Sequence, residues 1–225
     1  FDLNGKLQVY DNTCECYQHD YGTSGYVKVT GGGGGVSFIA ESNCSLEEGS
    51  TFTLKMNGAK IHDNTANALT NDNRGGGLYM ENNVDPNKNY TFDLYLNSGE
   101  IYNNQAPVGG GLYVHKWEIT SPEASSTEYV KIYKNTSTGR GGGMYVLDAD
   151  YVMNYGQIGG PDATYKNEST GKGGGGVCVE NGSLTMTGGN ICYNKAGTAG
   201  GGVYVKNGSV EMSNSNISNN TGTSS

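Results

Sequence analysis

The chain has 225 residues, of which 38 are glycine and only 16% are charged, and its net charge is −8 with a pI near 4.8. Lysines and arginines are scattered along the sequence, so we expect no basic stripe that could replace the counterions at phosphate groups, and hence no surface for nucleic acid or anionic membranes. No run approaches the roughly 18 consecutive apolar residues of a membrane-spanning helix, and no signal-peptide pattern opens the sequence. The glycine content and the lack of helix-forming runs favour turns and strands.

Residues 1–32 precede the regular part of the sequence, and we expect them to form an N-terminal cap. Cys14, Cys16 and Cys44 lie within and just after this segment. A disulfide from Cys14 or Cys16 to Cys44 would tie the cap to the following chain in an exported protein. Free thiols are a second interpretation, and zinc bound by the three cysteines together with His19 is a third.

A glycine triplet followed by a short apolar strand recurs from residue 33 to the end of the chain. The first apolar residues after the triplets lie 34, 32, 33 and 26 residues apart, and they are Leu78, Leu112, Met144, Val177 and Val203. A looser copy of the marker precedes Val36. Such a period indicates stacked supersecondary units, so we predict one repeat domain over residues 33–225, with further coils beyond the sequence given.

A second marker, Ile-x-x-Asn, returns in phase with the triplets. Its asparagines are Asn64, Asn104, Asn135, Asn194 and Asn220. The segment from Thr164 to Asn167 is a degraded copy of the same marker. We predict that these asparagines stack amide to amide between successive units, because such an internal ladder satisfies polar groups at the turns.

Each unit has the pattern of three short strands joined by glycine and asparagine turns. In the clearest unit the strands are 177–179, 184–186 and 191–193, and alternation places their apolar residues on one side. Equivalent strands would stack about 4.8 Å apart into parallel sheets. We therefore predict an all-β fold, a right-handed parallel β-helix of about six coils. A propeller blade needs about 40 residues and four strands, and sandwiches lack strict repeats.

The residue after the first inward position of a unit is usually tyrosine. Tyr79, Tyr113, Tyr145 and Tyr204 therefore form a column on the outer face of one sheet, and Cys178 takes this position in one unit. Planar rings at strand spacing can stack on sugars or dock a protein partner. They can equally serve the sheet alone, since aromatic residues have a high β-propensity.

The pairing of GGG-hydrophobic-Tyr-Val with Ile-x-x-Asn resembles the GGA(I/L/V) and FxxN repeats of the polymorphic outer-membrane-protein family, although isoleucine replaces phenylalanine. The chain is still more similar to adhesin-like β-helix surface proteins of bacteria, in which stretches like residues 181–209 are typical and residues 1–11 resemble the opening segment. This resemblance covers nearly the whole chain. It implies an extracellular protein, attached to the cell wall or displayed on the outer membrane. It also implies adhesion to host or neighbouring surfaces through a glycan or protein ligand.

Polysaccharide lyases and glycosidases also occur on right-handed β-helices, so the carboxylates matter. Glycoside hydrolysis needs two carboxyl groups about 5 to 9.5 Å apart. Asp148 and Asp150, on one side of a strand with Arg140 in the preceding turn, are the best set for such chemistry or for Ca²⁺. Solvated acidic side chains are the ordinary alternative, and pectinase-type motifs are missing. We therefore predict a non-catalytic protein without a cofactor, and keep an enzyme and a passive spacer as alternatives.

Two further expectations concern cysteines and chain ends. Cys178 and Cys192 occupy outward positions on different strands, so we expect them to stay unpaired. No cap follows the coil that ends near Asn220. Because unpaired strand edges promote association, we expect either further coils in the natural protein or end-to-end self-association of this chain.

Overall fold

The computed structural model describes residues 2–4, 7–10, 13–14, 33–40, 49–67, 73–85, 87, 89–122 and 128–223. Within these residues the chain forms short β-strands and one 3₁₀ helix, Ala163–Tyr165. The strands in chain order are β1 (Asp2–Asn4), β2 (Gln8–Tyr10), β3 (Thr13–Cys14), β4 (Val36–Ala40), β5 (Thr51–His62), β6 (Thr65–Ala66), β7 (Leu78–Asn82), β8 (Thr91–Tyr102), β9 (Gln105–Ala106), β10 (Leu112–His115), β11 (Glu118–Ser121), β12 (Val130–Tyr133), β13 (Thr136–Ser137), β14 (Met144–Leu147), β15 (Tyr151–Met153), β16 (Gln157–Gly159), β17 (Glu168–Ser169), β18 (Val177–Glu180), β19 (Ser183–Met186), β20 (Asn190–Cys192), β21 (Lys195–Ala196), β22 (Val203–Lys206), β23 (Ser209–Met212), β24 (Asn216–Ser218) and β25 (Thr221–Gly222).

Equivalent strands of successive coils pair in parallel, which confirms the predicted parallel β-helix. The first sheet stacks β4, β7, β10, β14, β18 and β22. The large second sheet branches at the long strands β5 and β8, with β11, β15, β19 and β23 continuing one half and β12, β16, β20 and β24 the other. The third sheet consists of two-residue strands that follow the tetrad asparagines. The predicted three strands of the clearest unit are thus joined by a fourth, β21; the coil number and the handedness stay predictions.

The interior is filled by columns of aligned apolar side chains. One column consists of isoleucines that lie in register and are 0% exposed, in the order Ile61, Ile101, Ile132, Ile158 and Ile191. Burying each such side chain contributes about 1.5–3 kcal/mol. A solenoid with a thin core can therefore be stable although only 34% of its residues are hydrophobic, since every coil covers the next.

The glycine triplets form the corner between the third and the first sheet. In the triplet 109–111, Gly109 has a φ of 64°, which an L side chain rarely adopts. A Cβ on Gly110 would lie 2.5 Å from the carbonyl oxygen of Gly142 in the next coil, and one on Gly111 would lie 2.9 Å from the Asn135 amide carbon. Each member of the triplet is thus required for a different steric reason.

The predicted asparagine ladder is present and buried. Asn64, Asn104, Asn135, Asn167 and Asn194 are at most 1% exposed, and the backbone N–H and Nδ2 of each donate to the Oδ1 of the next, ending on Asn220. From the second member onward, each Nδ2 also donates to the carbonyl of an isoleucine one coil back. These buried amides are therefore fully used, which removes the cost of burying them.

The prediction that Thr164 takes the isoleucine position of the degraded tetrad is wrong. Ile158, not Thr164, lies in register with Ile132 and Ile191. Eight residues, 159–166, separate Ile158 from Asn167, where the other tetrads have two, and this longer segment carries the 3₁₀ helix. The ladder and the core column both continue, so the insertion projects outward from the coil.

Strands β1, β2 and β3 belong to the same sheets as the repeats. Strand β1 pairs with the first half of β5, β2 with its second half, and β3 with β6. Leu3 is 2% exposed and belongs to the same core as the following coils. This segment therefore extends the β-helix, while the boundary after residue 32 stays a prediction.

Candidate ligand-binding grooves

The tyrosine column exists, but most of it is buried. Tyr79, Tyr113 and Tyr145 align in register with stacked or tilted rings 5.3 and 5.5 Å apart. These side chains are only 5%, 0% and 7% exposed, and Tyr204 is half-buried. The prediction of an accessible aromatic strip is therefore wrong for the first three rings. Together with Cys178 they form a second apolar cluster, separate from the interior core of the β-helix.

The rings are buried because other side chains lie over them. Arg74 donates from Nη1 to the Tyr113 hydroxyl at 2.7 Å, and its guanidinium lies 5.0 Å from that ring centroid. Tyr145 donates to Glu180 Oε2 at 2.7 Å. Burial raises the pKa of both tyrosines, and Glu180 adds to the effect at Tyr145, so both hydroxyls stay protonated. These contacts leave the three rings little exposed face on which a ligand could stack.

A different aromatic column reaches the surface on the second sheet. It consists of His62, Tyr102, Tyr133 and Tyr165, with ring centroids 4.6, 5.0 and 5.4 Å apart. The first three rings are parallel within 4°, whereas Tyr165 is tilted by 57°. We call these four residues the aromatic ladder. Tyr165 is 36% exposed, so the ladder ends in solvent.

The first three rings follow the tetrad isoleucines, and the fourth comes from the insertion. Tyr102 and Tyr133 pair in register on β8 and β12. The next position of that column is Gly159, which pairs with Cys192 and carries no side chain. Tyr165 at the end of the 3₁₀ helix covers this gap, so closely that a Cβ on Gly160 would overlap its Cβ. Asp162 starts the helix by accepting from the Thr164 backbone N–H at 2.8 Å.

Salt bridges fix the end of the insertion. Glu168 binds Lys166 at 2.7 Å and Lys195 of the next coil at 2.8 Å. These two lysines lower the pKa of the Glu168 carboxyl, with Lys166 the larger influence. The insertion is thus held at both ends, by the Asp162 cap and by Glu168.

Tyr133 and Tyr165 of the aromatic ladder line a groove of about 310 Å³, which we call the aromatic groove. It is lined by Glu100, Tyr129, Lys131, Tyr133, Gln157, Gly159, Pro161 and Tyr165. Tyr133 donates to Glu100 Oε2 at 3.4 Å, and burial followed by this carboxylate raises the tyrosine pKa. The groove combines apolar ring faces with a carboxylate, an amide and an ammonium group. This composition suits a ligand that has both apolar faces and hydroxyls.

Neighbouring tyrosines widen the aromatic surface around this groove. Tyr129 meets Tyr155 edge to face at 5.1 Å, and Lys131 Nζ lies 5.3 Å from the Tyr129 ring centroid. Tyr155 is 41% exposed. The sequence analysis did not predict this surface because it followed the residue after the glycine triplet. The rings here instead follow the tetrad isoleucines, as Tyr133 does, or lie outside both markers, as the exposed Tyr155 and Tyr165 do.

A second groove of about 580 Å³ runs past the corner between the third and first sheets, and we call it the basic groove. Arg74, Arg140 and Lys172 line it together with Pro107, Val108, Tyr113, Thr138, Gly139, Tyr145, Leu147 and Gly171. The buried tyrosines form its floor. Among the described residues, no carboxylate is part of this lining.

The structure separates the residues proposed for an acidic cluster. Strand β14 ends at Leu147 and Asp148 has a φ of 49°, so Asp148 and Asp150 do not share a strand as predicted. Asp148 accepts from Asn181 at 2.9 Å, and Asp150 accepts from the Ser183 N–H and hydroxyl at 2.7 Å each. Arg140 instead binds Glu180 Oε2 at 2.6 Å. Among the described salt bridges, none joins Arg140 to either aspartate.

The cysteines and metal sites can be assessed only in part. Cys178 and Cys192 are buried free thiols, which confirms that they are unpaired. The side chains of Cys14, Cys16 and Cys44 lie outside the described residues. Within the part of the chain that the structure describes, no three His, Cys, Asp or Glu side chains group as metal ligands. The disulfide and calcium interpretations stay predictions.

Comparison with protein-family models, curated proteins and solved structures found no match to this chain. Over its described residues, the chain contains no helix of the length and apolarity that a membrane crossing demands.

Proposed function

We propose that this chain is a non-catalytic β-helix segment of an adhesin-like extracellular surface protein, and that it attaches to host or neighbouring cells by binding a glycan in the aromatic groove. The exposed end of the aromatic ladder carries this proposal. Tyr133 and Tyr165 present ring faces next to the polar side chains of Glu100, Lys131 and Gln157.

A sugar ring fits such a surface because it has apolar C–H faces and hydroxyls around its edge. Tyrosine rings offer rigid contact area with few rotatable bonds, so little conformational entropy is lost on binding. The Glu100 carboxylate and the Gln157 amide can accept and donate hydrogen bonds to hydroxyls. Stacked coils hold these groups in fixed register, so the groove is formed before the ligand arrives.

Affinity electrophoresis through gels that contain mannan, galactomannan or mucin tests this proposal. Retardation of the protein without loss of polymer is the expected result with at least one polymer. Tyr133→Ala and Tyr165→Ala should each weaken binding by about two- to tenfold, the value of one aromatic contact. Tyr95→Ala is the matched control, because Tyr95 lies on the other branch of the second sheet, on β8 beside Lys55.

Three results would contradict the proposal in different ways. Cleared polymer would replace it by a polysaccharide-degrading enzyme on the same fold. Equal weakening by Tyr95→Ala and Tyr165→Ala would place the ligand elsewhere. Migration unchanged in every gel would favour a protein receptor or a passive spacer. The thermal midpoint of each variant, followed by circular dichroism, shows that reduced retardation is not caused by unfolding.

A further inference from the structure

The basic groove concentrates positive charge on a protein with a net charge of −8. Arg74 and Arg140, the two arginines of the whole sequence, both line it, and Lys172 extends the row. The walls between these cations are apolar, since Pro107, Val108 and Leu147 form them. The aromatic groove shares no residue with this surface.

Arg74 is the cation with the most unused hydrogen-bonding capacity. Its Nη1 donates to the Tyr113 hydroxyl, and no described carboxylate forms a salt bridge with it. A guanidinium has five N–H donors in a planar fork that matches a carboxylate or sulfate. The Tyr113 ring fixes the guanidinium from beneath, so its remaining donors are held in place for an anion.

Arg140 is partly neutralised, but its surroundings still carry excess positive charge. It binds Glu180, which also accepts from Tyr145 and Lys206. Burial alone raises the pKa of the Glu180 carboxyl, but Lys206, Tyr145 and Arg140 together lower it by more than burial raises it. The net pKa is lowered, so this carboxylate is ionised. One carboxylate thus faces Arg140 and Lys206 together, and Lys172 forms none of the described salt bridges.

The cations follow the axis of the β-helix. Arg74 pairs with Val108 in an isolated parallel bridge, and the next backbone contact of that column runs from the Gly109 N–H to the Arg140 carbonyl. Arg74 and Arg140 are therefore two coils apart, about 10 Å along the axis. Lys172 lies in the coil after Arg140. A linear polymer with regularly repeated negative charges fits such a row better than a single small anion.

We propose that the basic groove is a second binding site, for a linear acidic glycan whose carboxylate or sulfate groups bind Arg74, Arg140 and Lys172. The apolar walls contact the C–H faces of its sugar rings, and the partly buried setting of the guanidinium groups strengthens their attraction to anions. This site does not depend on the aromatic groove, and either site can exist without the other.

Biolayer interferometry with the 225-residue chain and four immobilised polymers tests this proposal. Polygalacturonate presents carboxylates, dextran sulfate presents sulfates, dextran is the neutral reference and polyglutamate is an acidic peptide. Binding to at least one acidic glycan, with none to dextran, is expected. Arg74→Gln should weaken that binding about tenfold, the value of a hydrogen bond to a charged group, and 0.5 M NaCl should weaken it as well.

The matched control is Lys55→Gln, which removes one positive charge from an exposed position on β5. This variant should bind acidic glycans as the unmodified chain does. Lys172→Gln should weaken that binding without lowering the thermal midpoint. Equal effects of Lys55→Gln and Arg74→Gln would overturn the proposal, as would equal binding to polyglutamate or no binding to either acidic glycan. Loss of acidic-glycan binding in Tyr165→Ala but not in Arg74→Gln would overturn it while leaving the aromatic groove supported.

Discussion

Removal of one side chain from the middle of the asparagine ladder should strongly destabilise the protein. The Asn135 side chain takes part in four hydrogen bonds: it accepts from the N–H and Nδ2 of Asn104 at 3.0 Å each, and donates to Asn167 at 3.0 Å and to the Ile101 carbonyl at 2.9 Å. At about 1 kcal/mol each, Asn135→Ala should lower the free energy of unfolding by about 4 kcal/mol.

Urea unfolding followed by circular dichroism measures this loss, and hydrogen exchange shows whether it is local to the neighbouring coils. Asn190→Ala is the matched control, since Asn190 is exposed on β20 and its loss should change stability by less than about 0.5 kcal/mol. A loss below about 1 kcal/mol in Asn135→Ala would refute the reasoning. It would mean that water replaces the amide, and that the ladder fixes register without adding stability.

Four further predictions concern other parts of the molecule. Gly110→Ala should lower the thermal midpoint by the equivalent of about 1–3 kcal/mol, because its Cβ would meet the next coil; an unchanged midpoint would contradict this. Burial raises the pKa of Cys178 to about 12, so native protein at pH 8 should leave this thiol unlabelled by iodoacetamide in peptide mass spectrometry, and rapid labelling would count against its burial. The folded pKa of Glu168 is lowered, so its stabilisation is complete above the unfolded pKa and is lost as pH falls through the folded one; Glu168→Gln should therefore reduce the fall in thermal midpoint between pH 6 and pH 3, and identical curves would contradict this. Val210 and Met212 are 41% and 46% exposed, so light scattering should show association that grows with concentration; a monomer at every concentration would contradict this.

Repetition explains why so much of the fold is predictable from this sequence. A parallel β-helix places equivalent residues of each coil on top of one another, so a local pattern that recurs becomes a column. The tetrad therefore predicts both the isoleucine core and the asparagine ladder, and the triplet predicts a corner with no room for side chains. In the described part of the chain, residues 158–167 depart from this rule, since an insertion moves the isoleucine away from Asn167.

The candidate site was harder to predict because exposure is not a local property. Alternation along a strand shows that Tyr113 points away from the core, but not that Arg74, which is 39 residues earlier, lies against its hydroxyl. The same limit hid the basic groove, whose cations come from three separate coils. Tyr165 is a clearer case still, because no strand pattern places a residue of an inserted 3₁₀ turn beside Tyr133.

The sequence by itself determined the repeat, the parallel stacking, the buried columns and the polar ladder, since these follow from side-chain size, polarity and spacing within one coil. Only the tertiary structure decided which outward side chains meet solvent. Contacts between side chains of different coils bury Tyr79, Tyr113 and Tyr145, whereas Tyr165 stays exposed. Those contacts depend on distances between residues far apart in the chain, which a short repeating pattern does not encode.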